Sequence, residues 1–337
     1  MVSLKDIAEA CGVSTSTVSK ALNDFSDISA ARKEAIRKKA KEMGYLPNMA
    51  ARALKTNVTH NIGVLFVDDF NSGLTHPFFA QVLEAFKLET EQRGYDLTFI
   101  NHQVGEEKVS YYNHCRYRNV DGVVIACVDF EQEDVLELVE SEIPVVTIDH
   151  VFDNCSSIRS DNTEGMEELT EYAIKNGHRR IAYIHGKNSS VTRSRLAGFY
   201  KALESHGIEI PETYVREAPY QDGAACAKVT AELLALPERP TCILYPDDYA
   251  CLGGINAISE AGLSIPGDIS VAGYDGIPLL QQMYPHLTTF GQDMVQMGKA
   301  AGEQLIDLIE KPKTTVDSIR VISGKIIPGE TIGRCGA

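Results

Sequence analysis

No apolar run in this 337-residue chain approaches the ~20 residues that a membrane-spanning helix needs. The longest candidates, such as Val123–Val128, have the length of a strand. The opening Met1-Val2-Ser3-Leu4-Lys5-Asp6 lacks the apolar core of a secretory signal. The eight cysteines, at positions 11, 115, 127, 155, 226, 242, 251 and 335, include no C-x-x-C pair. Free thiols in a reducing compartment are therefore expected rather than a disulfide framework. These absences make a cytoplasmic chain with no membrane partner the expectation. Catalytic signatures are missing as well. No G-x-G-x-x-G follows a strand, and there is neither a G-x-S-x-G elbow nor an H-E-x-x-H helix. His185-Gly186-Lys187-Asn188-Ser189 faintly suggests a phosphate loop, but Ile181 stands where its first glycine belongs. The nine histidines show no metal-ligand spacing. No catalytic residue, cofactor or metal is assigned.

What is present is an ordinary globular composition, 44% hydrophobic and 23% charged, which excludes a fully disordered or fibrous chain. The length suits two to three domains. Acidic residues outnumber basic ones 47 to 32, a net charge of -15, which taken whole argues against a protein that coats nucleic acid. The charge is unevenly placed. Residues 1–57 hold ten Lys and Arg against six Asp and Glu, a net +4, which leaves -19 on the remainder. Eight of those basic residues fall within 32–55. Such segregation is the electrostatic footprint of a DNA-binding head.

The first 46 residues carry three helical patterns and no strand. Ser3-Leu4-Lys5-Asp6 forms an S-x-x-D capping box before a helix with Leu4, Ile7, Ala8 and Cys11 on one face. Gly12 permits a tight turn, and Ser14 caps a second helix from Thr15 to about Leu22, with Val18 and Leu22 inward. Ser29 is placed to cap a third, Ala30–Met43, ended by Gly44. A helix, a Gly-containing turn and a second helix exposing Thr15, Ser16, Thr17 and Lys20 fit a helix-turn-helix that places those side chains in a major groove. A small three-helix packing module with a polar face is the alternative. After Pro47, Asn48 can cap a further helix of about eight residues, too short to be stable alone in water. This 47–58 segment reads as a hinge that folds only against a partner, with Ala50, Ala51 and Ala53 permitting close approach of a partner helix and Leu54 free to wedge into a minor groove. An ordinary linker is the alternative.

From residue 59 the pattern becomes βα repeats. Strands are expected at Ile62–Val67, Leu97–Ile100, Val123–Val128 and Val145–Ile148, with helices at Pro77–Arg93, Glu106–Arg118 and Gln132–Glu140. A second set runs from a helix at 163–176 to a strand at Ile269–Gly273, with helices at Arg195–His206, Gly223–Leu236 and Tyr249–Ala261 between strands. Each set predicts a parallel sheet with helices on both faces, so the fold class is α/β with two doubly wound lobes behind a helical head. The tail adds a helix at Met294–Ile309 and a short strand near Arg320–Ile322. Ligands of such sheets sit off the carboxyl ends of the strands. Asp149, Asp247 and Asp275 are strand-end carboxylates, each with a rival reading as a helix N-cap, Asp247 most of all because Asp248 adjoins it.

Ser3–Asn23, as S-L-K-D-I-A-x-x-x-G-V-S-x-x-T-V-S-K-A-L-N, together with Tyr45-Leu46-Pro47-Asn48 and the Ala51-Arg52…Leu54-Lys55 pattern, closely resembles the LacI/GalR family of bacterial transcription regulators. The resemblance continues through His76-Pro77-Phe78-Phe79, Leu196-Ala197-Gly198-Phe199, Val271-Ala272-Gly273-Tyr274-Asp275, Leu287–Asp293 and Met297-Gly298, nearly the entire chain. It implies a periplasmic-binding-protein-like core: an N-lobe over 59–160 to which part of 290–322 returns, and a C-lobe over 161–337. It implies base reading by Thr15 and Ser16. Where the family often has Arg, Lys20 offers no bidentate fork to guanine. It places Asn48, Ala51, Leu54 and Lys55 at the hinge against the minor groove. It implies effector contacts at Asp149, Arg195, Asp275 and Gln292, with Phe78 or Phe79 as an apolar wall; Asp247 is added from its strand end. Carboxylate, guanidinium and amide groups beside an aromatic ring suit a polyhydroxylated ligand, so a sugar or sugar derivative is the expected effector. The implied partners are double-stranded operator DNA and a second copy of the chain in a homodimer, with the regulator acting as a repressor. The last residues, Arg334-Cys335-Gly336-Ala337, carry no leucine heptads, so no tetramer built on such a tail is expected. A solute-binding protein and an α/β enzyme stay open as other classes, as does control by a partner protein instead of a cleft ligand.

Overall fold

The computed structural model describes residues 2–46, 58–67 and 73–335, which fall into two compact units, Met1–Thr59 and His60–Ala337. The hinge residues Asn48, Ala51, Leu54 and Lys55 lie outside the described residues. In the first unit α1 (Leu4–Cys11), α2 (Thr15–Leu22) and α3 (Ala30–Glu42) enclose Ile7, Ala8, Val18, Ala21, Ile36 and Ala40. Local chemistry sets the ends. The Ser3 backbone N–H donates to Asp6 at 2.7 Å while Asp6 donates back to the Ser3 hydroxyl at 3.4 Å, a reciprocal capping box. Gly12 takes the left-handed conformation at φ +61, and the Thr17 N–H donates to Ser14 Oγ at 3.1 Å. Ser29 departs from expectation: its side chain makes no cap bond, and α3 is entered through its carbonyl, which accepts from Arg32 and Lys33.

The second unit runs in chain order through β1 (Asn61–Phe66), α4 (Pro77–Gln92), β2 (Asp96–Phe99), β3 (Gln103–Val104), β4 (Glu107–Lys108), α5 (Tyr111–Arg118), β5 (Gly122–Ala126), α6 (Glu133–Val139), β6 (Val145–Ile148) and β7 (Ser156–Ser160). It continues with α7 (Asn162–Lys175), β8 (Ile181–His185), α8 (Ser190–Ser205), β9 (Val215–Glu217), α9 (Gly223–Leu234), β10 (Cys242–Leu244), α10 (Asp248–Glu260) and β11 (Ser270–Asp275). Then follow β12 (Thr289–Gly291), α11 (Met294–Glu310), β13 (Ile319–Ile322) and β14 (Lys325–Ile327).

These strands form two sheets. One has the order β13-β7-β6-β5-β1-β2, all neighbours parallel. The other has the order β14-β12-β11-β10-β8-β9, parallel except for the antiparallel β12–β14 edge. The core is therefore two parallel-sheet α/β lobes. The chain leaves the first sheet after β7, returns to it after β12 through α11 and β13, and leaves again into β14. Helix α11 packs on α4 and on β5–β7. There Gly298 lies so close to the neighbouring helix that a Cβ would stand 2.1 Å from the Val82 carbonyl oxygen, so only glycine allows this helix pair.

Three sequence expectations are corrected. The helix expected over 106–118 begins only at Tyr111, because Gly105 at φ +63 turns a short β3–β4 hairpin and Ser110 caps the helix after it. The helix expected to open at Arg195 opens at Ser190, capped by the Ser189 hydroxyl, which accepts from the Thr192 N–H at 3.1 Å. Strands β7, β12 and β14 are not expected from the sequence, since Ser156–Ser160, Thr289–Gly291 and Lys325–Ile327 are short or polar and carry no long apolar run. Among the described residues no helix is long and apolar enough to cross a membrane.

Candidate DNA-reading head and ligand cleft

In the head, Thr15 and Ser16 are exposed at the start of α2. Thr17 is half-buried, and its hydroxyl is engaged by the Ser14 cap at 2.8 Å, so it is less accessible than Thr15 and Ser16. Lys20 is half-buried and its ammonium is held by the Asp27 carboxylate in the loop before α3. Asp24, in a left-handed conformation at φ +62, takes Lys33 at 2.9 Å and Arg37 at 3.0 Å. Their lysines hold both carboxylates below the usual range. Two loop aspartates therefore restrain three of the head's basic side chains.

In the second unit, a cavity of about 710 Å³ is lined by residues of both lobes. Every residue assigned to a ligand from sequence lies on its wall: Phe78, Phe79, Asp149, Arg195, Asp247, Asp275 and Gln292. Arg195 is buried at its centre. Its Nε donates to Asn162 Oδ1 at 2.8 Å and its Nη1 to the Pro246 carbonyl at 2.8 Å, while Nη2 lies 4.0 Å from Asp275. The guanidinium carbon sits 3.6 Å from the Tyr274 ring centroid. Burial opposes the charge of Arg195, but the Tyr274 and Tyr220 phenols and Asp275 outweigh it and raise its pKa further.

Asp275 takes the unusual φ of +112 at the end of β11 and accepts from Gln292 Nε2 at 2.7 Å. That bond turns Gln292 Oε1 the other way, where it is buried with no hydrogen-bond partner among the described residues. Burial pushes the Asp275 carboxyl well above its ordinary value, and Arg195 opposes the shift. Asp149, at φ +58, accepts from the Ser160 N–H at 2.9 Å, and burial raises it too.

Asp247 has the capping role that its position allowed. Its two oxygens accept from the Ala250 N–H at 2.8 Å and the Gln221 N–H at 2.7 Å, so it faces the cavity with both oxygens engaged. Asp248, treated in the sequence only as its neighbour, is fully buried and accepts from Thr289 Oγ1 at 2.6 Å and the Ile277 N–H at 2.7 Å. Burial lifts its pKa to about 7, and the Asp247 charge adds to the shift.

Sequence reasoning missed Tyr220 and Gln221, which follow β9 and obey the same strand-end rule, and His76, which caps α4. Gln221 Nε2 lies 3.0 Å from the His76 ring nitrogens, and Ser190 Oγ lies 3.4 Å from the Asp149 carbonyl. Both contacts span the lobes. Phe79 stands edge-on to Phe66 at 5.6 Å and to His76 at 4.8 Å, forming the apolar wall with Phe78. Among the described residues no group of three His, Cys, Asp or Glu is placed to hold a metal ion.

The model of bacterial regulatory proteins of the lacI family matches residues 3–48, and that of the periplasmic binding protein-like domain matches residues 170–332. The HTH-type transcriptional repressor PurR of Aliivibrio fischeri (strain MJ11) is 33% identical over 318 residues, covering 92% of each chain. The probable HTH-type transcriptional repressor ExuR of Bacillus subtilis (strain 168) is 31% identical over 323 residues, covering 95% of each. Among solved structures, the lac repressor dimer bound to operator and the anti-inducer ONPF superposes with a TM-score of 0.79 at 26% identity, over 98% of this chain and 99% of that one. The CelR–cellobiose complex, at 24% identity and a TM-score of 0.71 over 98% of this chain and 100% of that one, shares the fold. A two-lobed sensing core behind a helix-turn-helix, matched along almost its whole length by transcriptional repressors, belongs to the lacI family of bacterial regulatory proteins.

Proposed function

We propose that this chain is a ligand-responsive repressor that binds a pseudo-palindromic operator as a homodimer and takes a sugar or sugar derivative in its cleft. The observation that carries the reading is the buried Arg195–Asp275–Gln292 group at the floor of a cavity with aromatic walls. It offers fixed donors and acceptors to a ligand rich in hydroxyls, and Gln292 Oε1 specifically requires a donor. Structural neighbours solved in complex with cellobiose and with bound ribose support this class. The ligand bridges both lobes, alters their angle and thereby the spacing of the paired hinges. About 5.5 kcal/mol of differential binding suffices to drive such a switch from 1:99 to 99:1.

Selection of binding sites from random duplex DNA by the full chain should enrich inverted repeats. Recovery of no enriched sequence would sink the operator reading. On the enriched site, Leu54→Ala is expected to weaken binding about tenfold or more, ~1.4 kcal/mol. Binding to scrambled duplex should change less than about twofold, since only the specific complex uses a central wedge. Equal losses on both duplexes would remove the wedge role.

The Lys20–Asp27 pair yields a second expectation. To reach DNA, Lys20 must exchange its own carboxylate for a phosphate or a guanine edge. Asp27→Asn should therefore tighten binding to scrambled duplex roughly two- to fivefold at low salt and steepen the log–log salt dependence by up to about one. Anisotropy titrations at several salt concentrations check this; an unchanged slope would mean that Asp27 does not compete for Lys20.

A further inference from the structure

The cavity is larger than one sugar ring requires. At about 710 Å³ it falls in the upper part of the ~300–1,000 Å³ range of clefts that bury drug-sized ligands. The lining also changes character with depth. Arg195, Asp275, Gln292 and Asp247 are buried, whereas Asp129, Glu131, Lys187, Asn188 and Arg193 on the same wall are exposed. On the same wall two half-buried rings form an aromatic platform. Phe130, on the loop after β5, and His150, on the loop after β6, stack at 4.1 Å between ring centroids with their planes only 9° apart. Phe152 supports them, 4.5 Å from His150 and 6.0 Å from Phe130.

The platform is held from the backbone upward. The His150 carbonyl accepts from Thr147 Oγ1 at 2.6 Å and from Ser157 Oγ at 2.5 Å. The residues that turn the two loops toward the cleft, Cys127 at φ +55 and Asp149 at φ +58, are non-glycine residues in the left-handed region. Such strain persists only where surrounding structure enforces it. Burial and the Arg193 charge lower the His150 pKa against the opposing pull of Glu131, so the ring is neutral near pH 7.

We propose that the cleft has two subsites, and that the effector is a two-ring sugar of the disaccharide class, with one ring bound by the Arg195–Asp275–Gln292 floor and the second lying against the Phe130–His150 platform. This rests on the sugar reading above. A flat apolar face over the C–H faces of a pyranose, flanked by Lys187, Asn188 and Glu131 for its outer hydroxyls, is the chemistry that the outer subsite supplies.

The test uses the full chain. Glucose, galactose and ribose are compared with cellobiose, maltose, lactose and melibiose by thermal shift, and binders are titrated by calorimetry. At least one disaccharide should bind about tenfold or more tightly than either of its constituent monosaccharides. Phe130→Ala should abolish most of that advantage while leaving monosaccharide binding within about twofold. Phe130→Leu keeps the apolar volume without the ring and should lose the same advantage; it serves if the alanine variant folds poorly. A monosaccharide that binds as tightly as any disaccharide, or disaccharide binding unchanged in Phe130→Leu, overturns the two-subsite inference and leaves the sugar reading standing. Binding by none of the sugars overturns the sugar reading itself, and the inference with it.

Discussion

Arg195→Met should lower the melting temperature of the protein by on the order of 6–12 °C and abolish stabilisation by any cleft ligand. The substitution approximates the length of the arginine stem but removes the guanidinium. Asn162 Oδ1 and the Pro246 carbonyl then lose their donors inside the protein, and Asp275 loses its cation. Removing one partner of a buried ion pair costs about 3–5 kcal/mol, because the other partner stays buried and uncompensated. The lower end applies here, since Asp275 is already biased toward its neutral form and can take up a proton. At roughly 2–4 °C per kcal/mol for a unit of this size, about 3 kcal/mol gives the stated shift. Arg195→Lys should recover only part of it, because one ammonium cannot reproduce a fork that serves Asn162 and Pro246 from separate nitrogens. Calorimetry with and without ligand checks both statements. A loss below about 2 °C would mean that Arg195 is not the keystone of the floor.

The parts of this fold legible from sequence are those in which burial leaves a compositional trace. Val123-Val124-Ile125-Ala126 and Val145-Val146-Thr147-Ile148 lie in the middle of an all-parallel sheet, covered on both faces, and so read as continuous apolar runs. Strand β7, Ser156-Ser157-Ile158-Arg159-Ser160, leaves no such trace, although it is hydrogen-bonded between β6 and β13. Its buried Ser156 and Ser157 hydroxyls are satisfied by Asp317 and the His150 carbonyl, partners that no local pattern announces. The motifs that carried the family resemblance acquire physical reasons. A Cβ at Gly198 would stand 2.1 Å from the Thr163 carbonyl oxygen, as one at Gly298 would from Val82, so both glycines mark helix pairs packed backbone to backbone.

The cleft was legible through the strand-end rule, which located Asp149, Asp247 and Asp275 and marked Asp247 as the most open to a capping role. Whether a strand-end aspartate faces a ligand or caps the next helix depends on which N–H groups reach it. Asp247 does both: the Ala250 and Gln221 N–H groups reach its two oxygens, the second from the loop after β9, a strand expected near Tyr214–Glu217. The platform of Phe130 and His150 was invisible because its two rings come from different loops, 20 residues apart in the chain, and meet only in the folded lobe.

Asp248 carries the second large expectation, a stability that depends on pH through a residue with no ligand role. Burial holds its folded-state pKa at about 7 against an ordinary value of 3.8. The folded protein thus keeps a proton that the unfolded chain releases. That contribution is fully present below about pH 4 and is lost as the pH rises through 7, where a buried carboxylate must ionise beside Asp247. Three units at ~1.4 kcal/mol each amount to about 4 kcal/mol across that window. Asparagine keeps the geometry: its oxygen can accept from the Ile277 N–H and its amide can donate to Thr289 Oγ1, replacing both bonds of Asp248. Asp248→Asn should therefore gain stability relative to the parent protein between pH 4 and 8, by up to about 4 kcal/mol, with the midpoint of the gain at about pH 5–5.5, halfway between the unfolded and folded pKa values. The difference between the two proteins isolates this group, since surface carboxylates with lowered pKa, such as Glu171 and Asp268, act with the opposite sign at lower pH and cancel in the comparison. Urea denaturation at unit pH intervals gives the curve. A difference that stays flat from pH 4 to 8 would show that Asp248 titrates as an ordinary carboxylate. A rising one would show that the loop from Asp275 to Ile277, which Asp248 ties to Thr289 on β12, is held together at neutral pH by a proton as well as by packing.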